Sequence, residues 1–153
     1  MFMKVISLVE EAIVFILTAI LVVLTFINVI LRYFFNYSIS GSVEISILLF
    51  AWIIFVGSSM AFKYKNHISI DIVEALLPTT AKKILNFMIS TILLVFTAVM
   101  SVYGTVLTIN VLGESLGATT IPKSLVYSAF PVGFGLMTIR LIQQLFKTVK
   151  GEG

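Results

Sequence analysis

Four stretches of the chain are almost uniformly apolar: residues 12–31, 45–62, 84–112 and 125–146. A bilayer-spanning helix needs about 20 such residues, so each stretch predicts one transmembrane helix. The third is longer than a perpendicular helix requires and is expected to tilt or to project beyond the hydrocarbon. Pro131 lies inside the fourth and removes a backbone donor, which predicts a bend there. Neighbouring helices can supply donors to the freed carbonyl. The fold class predicted is all-α integral membrane, a single four-span domain over residues 1–153.

The polar break between the second and third spans has its own pattern. Asn66 can cap a helix and Pro78 can end one, with Ile68, Ile72, Val73 and Leu76 on one face. A short interfacial helix over residues 66–77 fits this pattern. The alternation from His67 to Ile72 also fits a strand. A lone strand at a membrane surface would leave its edges unpaired, so the helix is preferred.

Composition agrees with lipid as the solvent. The chain is 59% hydrophobic and 11% charged, where soluble domains carry about 25% charged residues. It holds no cysteine, which excludes disulfides, thiolate metal sites and thiol catalysis. The first apolar run is too long for a signal peptide core and follows Glu10 and Glu11. It is read as a retained span.

Charge placement gives an orientation. Lys4, Lys63, Lys65, Lys82, Lys83, Lys147 and Lys150 flank the spans on one side, with Arg140 near the end of the fourth span. Only Arg32 and Lys123 lie on the other side. The Lys/Arg excess marks the cytoplasmic face, so both termini are expected in the cytoplasm.

Small and hydroxyl residues recur at helical spacing inside the spans. Asn86, Ser90, Thr97, Ser101, Gly104 and Thr108 share one arc of the third, interrupted by Leu93. Ser124, Ser128, Pro131, Gly135 and Thr138 cluster in the fourth, and Ser46, Gly57 and Ala61 in the second, together with Phe50. Such faces let helices approach closely and hydrogen-bond in lipid. They would pack the four helices together or meet another membrane protein.

Candidate chemistry is sparse. No charged residue stands near the middle of a span, where it would mark an ion or proton path. His67 and Asp71 are four apart and could share a helix face, but two ligands are too few for a closed zinc site. A local hydrogen bond that pins the loop is the simpler reading. Arg32 and Glu44 stand at the two ends of one outer hairpin and could pair, or could meet a partner at the rim. Trp52, in the middle of the second span, reads as a packing residue. No nucleophile–base pair, phosphate loop or nucleic-acid-binding array is visible. Catalytic, substrate-binding and metal residues are therefore predicted as none, with no cofactor and no enzymatic activity. The structural or partner-contact candidates are Arg32, Glu44, Trp52, His67, Asp71, Ser90, Thr97, Ser101 and Gly135.

The ordered set of motifs resembles a known family. It comprises Arg32-Tyr33-Phe34-Phe35-Asn36, Ser42-Val43-Glu44 opening a span with Trp52 and Gly57, and Lys65-Asn66-His67-Ile68-Ser69-Ile70-Asp71. Leu77-Pro78 before Lys82-Lys83, Ile121-Pro122, Tyr127, Pro131-Val132-Gly133 and Arg140 complete it. From about Arg32 to Arg140 the chain is similar to the small membrane subunit, or Q component, of tripartite ATP-independent periplasmic (TRAP) transporters. In that family a tryptophan and a paired acidic residue often open the second span, where this chain has Ser42, Val43 and a single Glu44. The resemblance implies a large multi-span transporter subunit and a transiently bound periplasmic substrate-binding protein as partners. It implies sodium-driven import of organic acids, such as sialic acid or C4-dicarboxylates, across the bacterial inner membrane. It further implies that the substrate and sodium sites lie on the large subunit, which this chain braces as a scaffold while helping to dock the binding protein. The alternative is a membrane interaction or assembly protein of an unrelated complex.

Overall fold

The computed structural model describes residues 2–61 and 79–149. The interfacial segment expected at 66–77 lies outside the described residues, together with His67 and Asp71. Among the described residues five helices follow one another: α1 Phe2–Phe35, α2 Ser42–Ala61, α3 Thr79–Asn110, α4 Lys123–Tyr127 and α5 Ala129–Val149. Among the described residues, pairing outside helices is limited to a bridge between Ser115 and Pro122. Four stretches of the described residues are long and apolar enough to cross a membrane: Leu8–Phe35, Ser42–Met60, Ile84–Asn110 and Lys123–Phe146. The chain is a multi-pass membrane protein.

Helix lengths differ along the chain. At 1.5 Å per residue, α2 is about 30 Å long, whereas α1 and α3 are about 51 and 48 Å. The 20 residues of α2 match a hydrocarbon core of about 30 Å. The 34 residues of α1 and 32 of α3 exceed it. The first span also begins earlier than its apolar run suggests, because Glu10 and Glu11 lie within the helix.

The helices pack in the order α1, α2, α5, α3. The half-buried positions Val14, Leu17, Leu21, Leu24, Asn28 and Leu31 recur at alternating steps of three and four along α1. Buried or half-buried Ser42, Ser46, Leu49, Ile53, Val56 and Met60 do the same along α2. Two such seams are the pattern of a knobs-into-holes pair. The buried apolar residues Leu49, Val56, Ala129, Met137 and Leu141 all belong to α2 and α5, in the middle of the row. Phe55, Phe130, Phe134 and Phe96 continue this core from α2 through α5 to α3, with the Phe55 and Phe130 rings 5.0 Å apart.

Two features shape the connections. Asn36 closes α1 in the left-handed conformation (φ 48°), and Tyr37 N–H donates back to the Leu31 carbonyl. The fourth span is interrupted at Ser128, between α4 and α5. Ser128 itself keeps right-handed helical dihedrals and accepts the Val132 N–H, and Pro131 three residues later offers no N–H to the Tyr127 carbonyl.

Close helix approach is confined to particular glycines. A Cβ on Gly133 would stand 2.8 Å from the Phe55 backbone oxygen, whereas one on Gly57 would meet nothing within 4 Å. Alanine favours a helix over glycine by about 1 kcal/mol, while overpacking costs about 1–3 kcal/mol. Gly133→Ala should therefore lower the thermal midpoint of the purified chain in detergent, and Gly57→Ala should leave it unchanged or raise it. Equal effects at the two positions would contradict this packing of α2 against α5.

Candidate functional site: a polar framework centred on the fourth span

Arg140 stands on α5, and its guanidinium meets two other helices. One nitrogen donates to the carboxylate of Glu10 on α1, in an ion pair whose side chains are only 10% and 6% exposed. Another donates to the backbone oxygen of Ser59 on α2, at 2.8 Å. Ser59 belongs to the last described turn of α2, where helix carbonyls are short of partners and a cation is favoured. The acid thus neutralises the arginine while the carbonyl takes a further N–H. The second oxygen of Glu10 and the side-chain oxygen of Gln143 are also buried, without a hydrogen-bond donor.

The α5–α3 contact is made by the stripes of small and hydroxyl residues. Thr138 donates to the hydroxyl of buried Thr97 at 3.1 Å, and Ser101 donates to the Pro131 carbonyl at 3.2 Å. Gly135 lies beside Ser101, and Gly104 leaves room for Phe130 and Pro131. The third and fourth stripes therefore meet each other. Ser90 is half-buried further along α3. The stripe on α2 behaves differently, because Ser46 donates to the Ser42 carbonyl of its own helix and Gly57 faces open space. Trp52 combines packing with a polar contact, since its indole N–H donates to the Leu125 carbonyl of α4 at 3.0 Å.

A second polar group organises the opposite end. Glu44 opens α2, and its carboxylate accepts the Ala118 N–H at 2.6 Å and the Thr119 hydroxyl. Of the two readings for Arg32 and Glu44, a mutual pair or a partner contact at the rim, the pair is not the one Glu44 makes here. Both oxygens of Glu44 are engaged by the 111–122 loop, and Arg32 is exposed at the end of α1. The same loop is closed by Leu116 N–H donating to Ile121, by Lys123 N–H donating to Glu114, and by a Lys123–Glu114 ion pair of 2.8 Å. Asn28 accepts the Ile39 N–H at 3.3 Å and holds the turn between α1 and α2.

The arrangement joins helices and presents no reactive constellation among the described residues. No group of three or more His, Cys, Asp or Glu residues able to hold a metal is found there. Sequence reasoning missed the Glu10–Arg140 pair, placing Glu10 ahead of the first span and using Arg140 as an orientation marker and a motif residue. One signal could have found it: Glu10 continues the Val14, Leu17, Leu21 seam of α1, so an acid stands on a helix-contact face.

Comparison with known proteins decides the family. The profile of the DctQ component of tripartite ATP-independent periplasmic transporters matches residues 21–151. The chain belongs to this family. A TRAP transporter small permease protein of Haemophilus influenzae is 31% identical over 132 residues, covering 86% of this chain and 81% of the relative. A second protein of that description from the same organism is 30% identical, covering 84% and 79%. The C4-dicarboxylate TRAP transporter small permease protein DctQ of Vibrio cholerae is 24% identical, covering 94% and 72%. The chain is therefore a TRAP transporter small permease subunit, and membership implies association with other TRAP components. The alternative of an unrelated complex gives way to this assignment.

Removing one member of a buried ion pair strands the other, at a cost of about 3–5 kcal/mol in soluble proteins. Glu10→Leu or Arg140→Met alone should therefore sharply lower the amount of folded chain recovered from membranes. The double variant, which strands no charge, should recover more than either. A double variant as poor as the worse single would show that the pair does not act as a unit.

Proposed function

We propose that this small permease subunit is the non-catalytic brace of a sodium-driven importer of organic acids. The large multi-span subunit carries the substrate and sodium sites and works against the small subunit as a fixed frame. The periplasmic substrate-binding protein docks transiently, with the loops at the Glu44 end helping to seat it. The complex lies in the bacterial inner membrane, with both termini of this chain in the cytoplasm.

The observation that carries this reading is the use made of polar groups buried or half-buried between the helices. Arg140 and Glu10 neutralise each other, and Thr97, Ser101 and Thr138 bond across the α3–α5 contact. Such groups elsewhere mark ion and proton paths; here they bind helix to helix. The length of α1 and α3 and their exposed apolar faces give a frame broad surface toward lipid or a partner. The Lys/Arg bias supports the orientation. The substrate class rests on the family resemblance and, more narrowly, on the C4-dicarboxylate name of the Vibrio cholerae relative.

Reconstitution tests the proposal. The large subunit alone in proteoliposomes should show no sodium-driven uptake, and adding this chain should restore it. The two should also co-purify in mild detergent. Full uptake by the large subunit alone would overturn the bracing role.

A further inference from the structure

We propose that the outer end of α1 is a phospholipid headgroup site, in which the Arg32 guanidinium holds a lipid phosphate inside a collar of Tyr33, Phe34, Phe35 and Tyr37. Arg32 stands in the last turn of α1 and is exposed. Lys123, the other cation at this end, is engaged by Glu114. Arg32 makes no hydrogen bond or ion pair through its side chain among the described residues. The acid nearest to it in sequence, Glu44, is taken by Ala118 and Thr119. A guanidinium with its N–H groups free matches the paired oxygens of a phosphate diester.

The aromatic residues around it say what surrounds this end. Tyr33, Phe34, Phe35 and Tyr37 are 79%, 80%, 69% and 61% exposed. Successive helical residues turn by about 100°, so the side chains from Arg32 to Phe35 leave the helix in nearly every direction. A protein partner covers one side of a helix, whereas the lipid–water interface encircles it. Tyrosine concentrates at that interface, with its ring against acyl chains and its hydroxyl among headgroups.

Helix lengths put the collar at the right depth. The apolar span Leu8–Phe35 has 28 residues. It is about 42 Å long, against about 30 Å for the hydrocarbon core and 40–45 Å with both headgroup layers. Its seam runs along α2, which has the length of the hydrocarbon core alone. Arg140 holds Glu10 and Ser59 at one level. From that level α1 runs about 33 Å to Arg32, and α2 about 22 Å to Glu44. Arg32 therefore overhangs the start of α2 by about 10 Å, the thickness of a headgroup layer and part of the boundary below it. The overhang leaves the aromatic collar without neighbours from its own chain.

The arginines of the chain are Arg32 and Arg140, so labelling arginine alone tests the site. The full chain with isotope-labelled guanidinium carbons is placed in vesicles of phosphatidylethanolamine and phosphatidylglycerol in phosphate-free buffer. Solid-state NMR then measures dephasing of each carbon by lipid phosphorus, with Arg32→Gln to assign the two signals. The Arg32 carbon should be dephased and the Arg140 carbon should not, both for the chain alone and after assembly with the large transporter subunit. A spin label at Phe35→Cys, in a chain with no native cysteine, should report headgroup depth. An Arg32 carbon untouched by phosphorus, its release from phosphorus on assembly, or a label in bulk water would overturn the proposal.

Discussion

Arg140 is buried between helices and cannot be left there without a partner. An unpaired buried charge is costly, and the chain meets this cost with Glu10 from the first span and the Ser59 carbonyl from the second. Much of the fold can be read outward from that requirement. The guanidinium needs α1 and α2 side by side at one end, and the α1–α2 turn, held by Asn28, returns the chain so that they are. On its other side α5 needs α3, which supplies Thr97 and Ser101. The fourth span is therefore bonded to each of the other three, and the core sits around it and α2.

Such bonds have particular value in lipid. Apolar side chains gain little by leaving lipid for one another, so helix association rests on close packing and interhelical hydrogen bonds. The contacts divide accordingly. Aromatic rings and glycines give α2, α5 and α3 their close fit, and polar pairs fix how each helix is placed along its neighbour. The outer faces of α1 and α3 remain broad and apolar, as suits a subunit whose family assembles with other membrane components.

The number and order of the spans could be read from apolar runs, because lipid imposes that pattern on any spanning helix. The stripes on the third and fourth spans could be read as helix contacts, since Thr97, Ser101, Gly135 and Thr138 recur at helical spacing. What stayed hidden depends on segments far apart in the chain. Glu10 and Arg140 are 130 positions apart, and each alone looks like an ordinary charge near a membrane surface. Glu44 pointed to its sequence neighbour Arg32, but the fold brings Ala118 and Thr119 closer, and a backbone N–H with a hydroxyl satisfies both carboxylate oxygens.

Arg140 is spent inside this subunit, holding α1 and α2 to α5. Solid-state NMR of the isotope-labelled chain in lipid, measuring the distance from the Arg140 guanidinium nitrogens to the Glu10 carboxyl carbon, tests it most directly. Direct ion-pair contact is expected, retained when the chain is assembled with its transporter partners. An Arg140 side chain with no coupling to Glu10, turned toward headgroups or toward another subunit, would contradict it.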